Sequence, residues 1–362
     1  AGAFAGNFTW GPADKVVLVD SELTLVNRLG KPDSNTAVSF FTCANFLSYG
    51  NNLSIVRSVR STANNATTTG SVQIKNDDVF EASFLNSNVG NAYGAFVARY
   101  PGALGNSLSV TVVDTGNTTL STIFSSAPGT SDAAVAAGGA NDEIHIAVID
   151  SNGLFSGTKG TVLETFPFVS KAYDGMNVND GTTNYYKQVL FNSSKYVYAV
   201  DPVQYSATNG TWGLTSAATF ATMTGNTTVS LASGADVAPT DGDLETAYDL
   251  FANKETIDIS LVLTGDASVG LQQYVIDNVV NSRKDCVAFI SPPSSAVVNN
   301  SGSENTDITT WLTSLNKTST YAFADSGWKY QYDKYNSQYR WIPLNGDIAG
   351  LCVNTDNVRD PW

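Results

Sequence analysis

Between Ile257 and Ile290 the hydrophobic period of the chain changes twice, and few folds accommodate such a change. Ile257, Ile259, Leu261 and Leu263 alternate with the two-residue period of a strand. Leu271, Tyr274, Val275 and Val279 then fall on one face of a helix. Residues 286–290 return to a strand-sized apolar run, and Pro292-Pro293 stops it. Strand, helix and strand at these lengths predict a β-α-β unit with parallel strands and a right-handed crossover. Another helix precedes the unit. Thr240, with Asp243 three residues on, resembles a capping box, and Leu244, Ala247, Tyr248 and Phe251 form its apolar stripe.

The N-terminal part reads strand, helix, strand. Val16–Val19 is a short apolar run; Phe40, Cys43, Ala44 and Leu47 mark an amphipathic helix that Gly50 ends; residues 54–59 alternate again. Residues 61–70 turn to Ser, Thr, Asn and Ala, the composition of a linker. The middle is β-rich. In Glu143–Asp150, Ile144, Ile146 and Val148 share one face, with Glu143 and His145 on the other. A turn at 150–153 hands over to a partner strand at 161–169, and 195–200 is a further strand. Residues 208–213 and 224–228 are turn-rich, and composition breaks again near 232–239. A chain of 362 residues exceeds one ordinary core. The expected fold class is therefore α+β with two domains. One is a discontinuous α/β domain, residues 1–64 and 234–362, which holds the β-α-β unit. It carries an inserted β-rich domain, residues 65–233.

Charge and hydropathy remove two function classes. There are 33 acidic against 19 basic residues, a net charge of −14. The nearest approach to a basic cluster, Arg283-Lys284, is followed at once by Asp285, so nucleic acid is not an expected partner. No apolar run approaches the ~18–20 residues that span a bilayer, so no membrane is expected either. Cys43, Cys286 and Cys352 have neither disulfide nor metal spacing and read as free, buried thiols of a reducing compartment. The sequons at Asn7, Asn117 and Asn316 are what a chain rich in Asn, Ser and Thr generates by chance.

The same residues argue against chemistry. His145 is the one histidine, on a predicted strand, and reads as surface or packing. No nucleophile elbow and no H-E-x-x-H or paired zinc spacing occurs. Residues 153–159 (GLFSGTK) lack the phosphate-loop spacing, and 174–181 (DGMNVNDG) lack the order of a calcium loop. Asp266-Ala267-Ser268-Val269-Gly270 lies where an α/β sheet would bind a ligand, and approximates a D-x-S-x-S metal loop. Gly270 replaces its last serine, and the segment reads as a connecting loop. A pair of carboxylates suited to glycoside hydrolysis leaves no local spacing to find. The expected catalytic, cofactor-binding and metal-ligating sets are all empty, and no enzyme is expected.

Three segments carry a resemblance: residues 4–13 (FAGNFTWGPA), 99–110 (RYPGALGNSLSV) and 330–352 (YQYDKYNSQYRWIPLNGDIAGLC). With NFLSYG at 45–50, YDLFANKETID at 248–258 and 291–293 between them, they resemble, in order, the tail sheath proteins of T-even-type phages. Resemblance is weakest across 65–95 and 115–230. It implies a structural subunit that polymerises as rings around a tail tube. Contraction by subunit rearrangement would drive that tube through the host envelope. Implied partners are other sheath subunits, the tail tube protein, and baseplate and tail terminator proteins. The implied location is the virion tail, after assembly in the host cytoplasm. Family members begin with an N-terminal arm and finish with a C-terminal domain that exchange strands between neighbours. This chain is expected to start after that arm and stop where that domain begins, and so to be monomeric alone. Larger members carry a protruding domain between the Arg57–Arg60 region and the R-Y-P-G segment; about forty residues lie there, so the protrusion is expected to be absent or vestigial. Trp328, Tyr330, Tyr332, Tyr335, Tyr339 and Trp341 alternate with Lys329, Lys334 and Arg340. The family context favours a hairpin with aromatic cross-strand pairs and cations covering the rings over a stacking platform for bases or sugars. A secreted glycan-binding or surface-layer protein is the alternative from another class, and a carboxylate-based hydrolase a further one.

Overall fold

The structure, a computed structural model, describes residues 1–87, 92–115, 123–202, 212–223 and 227–359. The chain folds into two compact units, residues 1–61 with 237–362, and residues 62–236. From the N-terminus, β1 (Gly2–Gly6), β2 (Val16–Val19), α1 (Glu22–Leu29), α2 (Ala37–Leu47) and β3 (Leu53–Arg57) open the first unit. The second unit adds β4 (Asn65–Thr67), α3 (Asp77–Phe80), β5 (Phe96–Pro101) and β6 (Leu108–Asp114). It continues with α4 (Asp132–Ala137), β7 (Glu143–Asp150), β8 (Thr161–Ser170), α5 (Tyr186–Ser193), β9 (Val197–Ala199) and β10 (Thr227–Ser230). The first unit resumes with α6 (Asp241–Asp249), β11 (Leu261–Leu263), α7 (Val269–Tyr274), a π-turn, α8 (Asn281–Arg283) and β12 (Val287–Ile290). It ends with α9 (Glu304–Leu315), β13 (Ala322–Ala324), β14 (Trp328–Asp333), β15 (Gln338–Pro343) and α10 (Asn345–Val358).

The first unit is built on a six-stranded sheet in the order β13-β12-β11-β1-β3-β2, parallel except for β2. Alternate residues of β1 serve opposite faces. Phe4 packs with α1, α2 and β2, while Ala3 and Ala5 pack with Tyr248, Phe251, Leu271 and Val275. The β11–β12 pair is parallel, as the β-α-β reading requires. Thr240 and Asp243 make both bonds of the capping box that starts α6.

Several local expectations need correction. Only Leu261–Leu263 of the alternating stretch is strand; Ile257 and Ile259 precede it, with Ile259 buried in the core. Likewise β3 is buried along its whole length, because helices cover both faces of a parallel sheet and alternation loses its meaning there. Helix α2 is not amphipathic: Phe40, Phe41, Thr42, Cys43, Ala44, Asn45 and Phe46 are all buried.

In the second unit, β10-β6-β7-β8 form an antiparallel sheet and β4-β5-β9 another. The putty of small polar residues at 61–70 is not a plain linker, since it contains β4. The buried Asn65 amide donates to Ile74 O at 3.1 Å and Ala98 O at 2.9 Å, and its oxygen accepts from Ile74 N at 2.7 Å. Those bonds satisfy loop backbone that would otherwise be stranded in the core. Phe80 stacks on Tyr198 with centroids 3.9 Å apart. Tyr100 is half-buried within β5, and the chain turns at Gly102, with φ 138°. Thr227 and Thr228 open β10 rather than continuing a turn, whereas 208–211 and 224–226 lie outside the described residues.

Candidate interaction surface

Strands β14 and β15 form a hairpin in which Tyr330 faces Trp341 and Tyr332 faces Tyr339. Alternation puts Lys329, Gln331, Asp333, Arg340 and Ile342 on one side and the four aromatic rings on the other. The inner side is fastened by polar contacts. Lys329 Nζ donates to Asp347 Oδ1 at 2.6 Å, Asn45 Nδ2 to Gln331 Oε1 at 2.9 Å, and Arg340 Nε to buried Asp333 Oδ2 at 2.7 Å. Asp333 Oδ1 also accepts from the backbone of Tyr335 at 2.9 Å and Asn336 at 3.1 Å, which fixes the turn. Burial alone would raise the Asp333 carboxyl, but Arg340, Asn336 and the turn amides outweigh it and hold it below the ordinary range. Tyr335 closes the anchor: it packs edge-on to Phe40, and its hydroxyl donates to Glu22 Oε1 at 2.8 Å.

The outer side is bare. Tyr330, Tyr332, Tyr339 and Trp341 are 57, 51, 57 and 38% exposed. Neighbouring rings in this ladder have centroids 5.0–5.3 Å apart: Tyr330–Trp341 at 5.0, Tyr330–Tyr339 at 5.1 and Tyr332–Tyr339 at 5.3 Å. The cross-strand pairing matches the sequence reading, but the cations do not cover these rings. Lys329 and Arg340 are drawn inward by carboxylates, and Lys334 lies beside Glu22 and over Tyr335, 5.4 Å from its centroid. A rigid, contiguous, exposed aromatic face is the kind of patch that marks a protein contact.

The segments weighed for chemistry are occupied by structure. His145 is buried, not on a free surface. It sits between Phe124 and Phe168, with Nε2 2.9 Å from Ser126 O, while Nδ1 accepts from Phe168 N at 2.9 Å. Residues 153–159 do form an amide-lined nest, and the chain fills it with its own anion. Asp150 accepts from the backbone of Gly153, Leu154, Phe155 and Ser156 and from the hydroxyls of Ser107 and Ser156, at 2.5–3.0 Å. Burial opposes ionisation there, but these hydrogen bonds win and depress its carboxyl. Ser268 caps α7 by accepting from Leu271 N at 3.1 Å and donates to Asp241 Oδ2 at 2.5 Å. Residues 174–181 form a tight reversal in which Gly181 N donates to Asn177 O. Arg283 is buried, its guanidinium on Phe251 O, Ile257 O and Asp285. Cys43 and Cys286 are buried, but Cys352 is exposed on α10, against the expectation for all three. Among the described residues no group of three or more His, Cys, Asp and Glu gathers to hold a metal ion, and no helix is long and apolar enough to cross a membrane.

Residues 3–57 match the family described as Tail sheath protein Gp18 domain III N-terminal region. Over 99% of its length the chain is 28% identical to the tail sheath protein of Enterobacteria phage T4, covering 70% of that protein. The tail sheath protein of Vibrio phage KVP40 is 27% identical, again over 99% of this chain and 71% of the relative. The chain is similar to phage tail sheath proteins along nearly its whole length. The alignment with the KVP40 sheath protein runs over 481 residues, more than this chain contains, so that relative carries insertions within the matched stretch. A sheath tail protein from Listeria innocua has a similar fold, with a TM-score of 0.50 at 11% identity, over 98% of this chain and 55% of that one. The chain therefore spans about half the length of that solved structure.

Proposed function

We propose that this chain is the packing body of a contractile tail sheath subunit. It polymerises as rings around the tail tube, and contraction rearranges those rings and drives the tube through the host envelope. The observation that carries this reading is the match to sheath proteins along 99% of the chain. The discontinuous α/β part serves as the sheath core and the β-rich part as an outer domain. Tube, baseplate and tail terminator proteins are its further partners, and assembly takes place in the host cytoplasm. No catalysis is assigned to it: the work comes from contacts. A gain of about 200 Å² of apolar burial per subunit is worth ~5 kcal/mol, less the ordering cost. Summed over many subunits, that drives contraction one way. The aromatic ladder of β14 and β15 supplies preorganised contact area of the right kind, because its rings lose little freedom on docking.

The isolated polypeptide is expected to purify as a monomer. Immunogold labelling with an antiserum raised against that monomer tests the assignment. Gold distributed along the tails of intact virions is expected; gold on capsids or fibres alone would contradict it.

A further inference from the structure

The ladder of β14 and β15 has a definite chemistry besides its exposure. Tyr330, Tyr332 and Tyr339 present phenol O–H groups, and Trp341 presents an indole N–H, which can only donate. No acid lies among them. The single carboxylate of residues 328–343, Asp333, is buried on the inner side, against three basic residues in the same stretch. On a chain of net charge −14, this face is aromatic, rich in donors and free of carboxylates. An apolar surface that carries carboxylates complements it, because a carboxylate only accepts.

Helix α6 carries such a surface. Residues 240–250 hold four acids, Asp241, Asp243, Glu245 and Asp249, and no base. Asp241 and Asp243 are engaged at the start of the helix, one by Ser268 and the other in the capping box. Asp249 accepts from the Tyr274 hydroxyl at 2.7 Å and keeps further lone pairs. Leu250, 39% exposed, adds an apolar group where the helix ends. The spacings agree as well. Glu245 and Asp249 are four residues apart, so they share one face of the helix about 6 Å apart. The Tyr330–Trp341 and Tyr332–Tyr339 rungs are two residues apart on each strand, about 7 Å. We infer that the ladder docks α6 of a second copy of this chain, its phenol and indole hydrogens on Glu245 and Asp249 and its rings on Leu250. Ladder and α6 are different patches, so the contact is head-to-tail, and it repeats into a ring where the rotation closes. The inference rests on the sheath reading and deepens it by naming the two faces that meet.

Photocrosslinking in tails tests this. Phage grown with both the wild-type gene and a Tyr332→benzoylphenylalanine copy would build tails in which variant subunits sit among normal ones. After irradiation of purified tails, peptides joining the hairpin to residues 241–250 are expected, and they should be missing from the irradiated monomer. With E245K and D249K introduced together into the wild-type copy, the yield of that crosslink should fall about tenfold, since acceptors are replaced by cations. The inference is overturned by crosslinks to another segment, by crosslinks to another tail protein, or by none at all in tails that contain the chain. A yield unmoved by the charge reversal, or the same crosslink in the monomer, overturns it too. Each of those results leaves the sheath assignment standing, whereas absence of the chain from tails would remove both.

Discussion

Asp325 shows how a single buried carboxyl reports on the fold. One oxygen accepts from Ser291 Oγ at 2.6 Å and the other from Gly327 N at 3.0 Å. Burial raises its carboxyl to about 6; those two hydrogen bonds pull the other way, and nearby Asp347 adds to the rise. The folded chain thus holds this proton more tightly than the unfolded chain does. Its contribution is fully present below pH ~4 and is lost as pH rises through 6. The D325N variant lacks that loss. Between pH 5 and 7.5, urea titrations should show wild type losing on the order of 1–2 kcal/mol relative to D325N; parallel profiles would contradict the assignment. Other single residues were hidden from the sequence. Arg57 reads there as an ordinary basic residue, yet it is buried and donates to Phe8 O and Gly11 O, both at 2.8 Å, and so fastens the motif at 4–13. The ladder residues were legible as cross-strand pairs, but not their exposure, because that depends on Asp333 and Asp347 drawing the cations inward.

At the scale of elements, helix crossings depend on missing atoms. A Cβ added to Gly346 in α10 would lie 2.3 Å from the backbone oxygen of Thr42 in α2. Helix propensity favours alanine over glycine by ~1 kcal/mol. Overpacking against a buried backbone costs about 1–3 kcal/mol or more. Packing should win, so G346A is expected to lower the urea midpoint, with a net loss of about 1–2 kcal/mol; a raised midpoint would show that the two helices can separate freely. Helix α6 was legible because its cap is local chemistry. Strand β1 was not legible, because Gly-Ala-Phe-Ala-Gly has poor strand propensity and is placed by its neighbours: a Cβ on Gly2 would lie 2.6 Å from the Phe46 ring. The strand inside 61–70 was masked for a related reason, since Asn and Thr there bond to distant backbone instead of to water.

For the whole molecule, each unit has its own buried clusters, with Phe4, Phe40 and Tyr248 among those of one and Phe80 and Tyr198 of the other. The parallel β11–β12 pair follows from the change of hydrophobic period, and the sheath assignment from motifs at both ends and in the middle. On the function proposed, this chain works by packing against other protein through preorganised surfaces. Hydroxyl-radical footprinting of Tyr330, Tyr332, Tyr339 and Trp341, in the isolated chain and in purified virion tails, reads that packing ring by ring. Strong protection of these rings in tails is expected; equal reactivity in both samples, or absence of the chain from the tails, would contradict it.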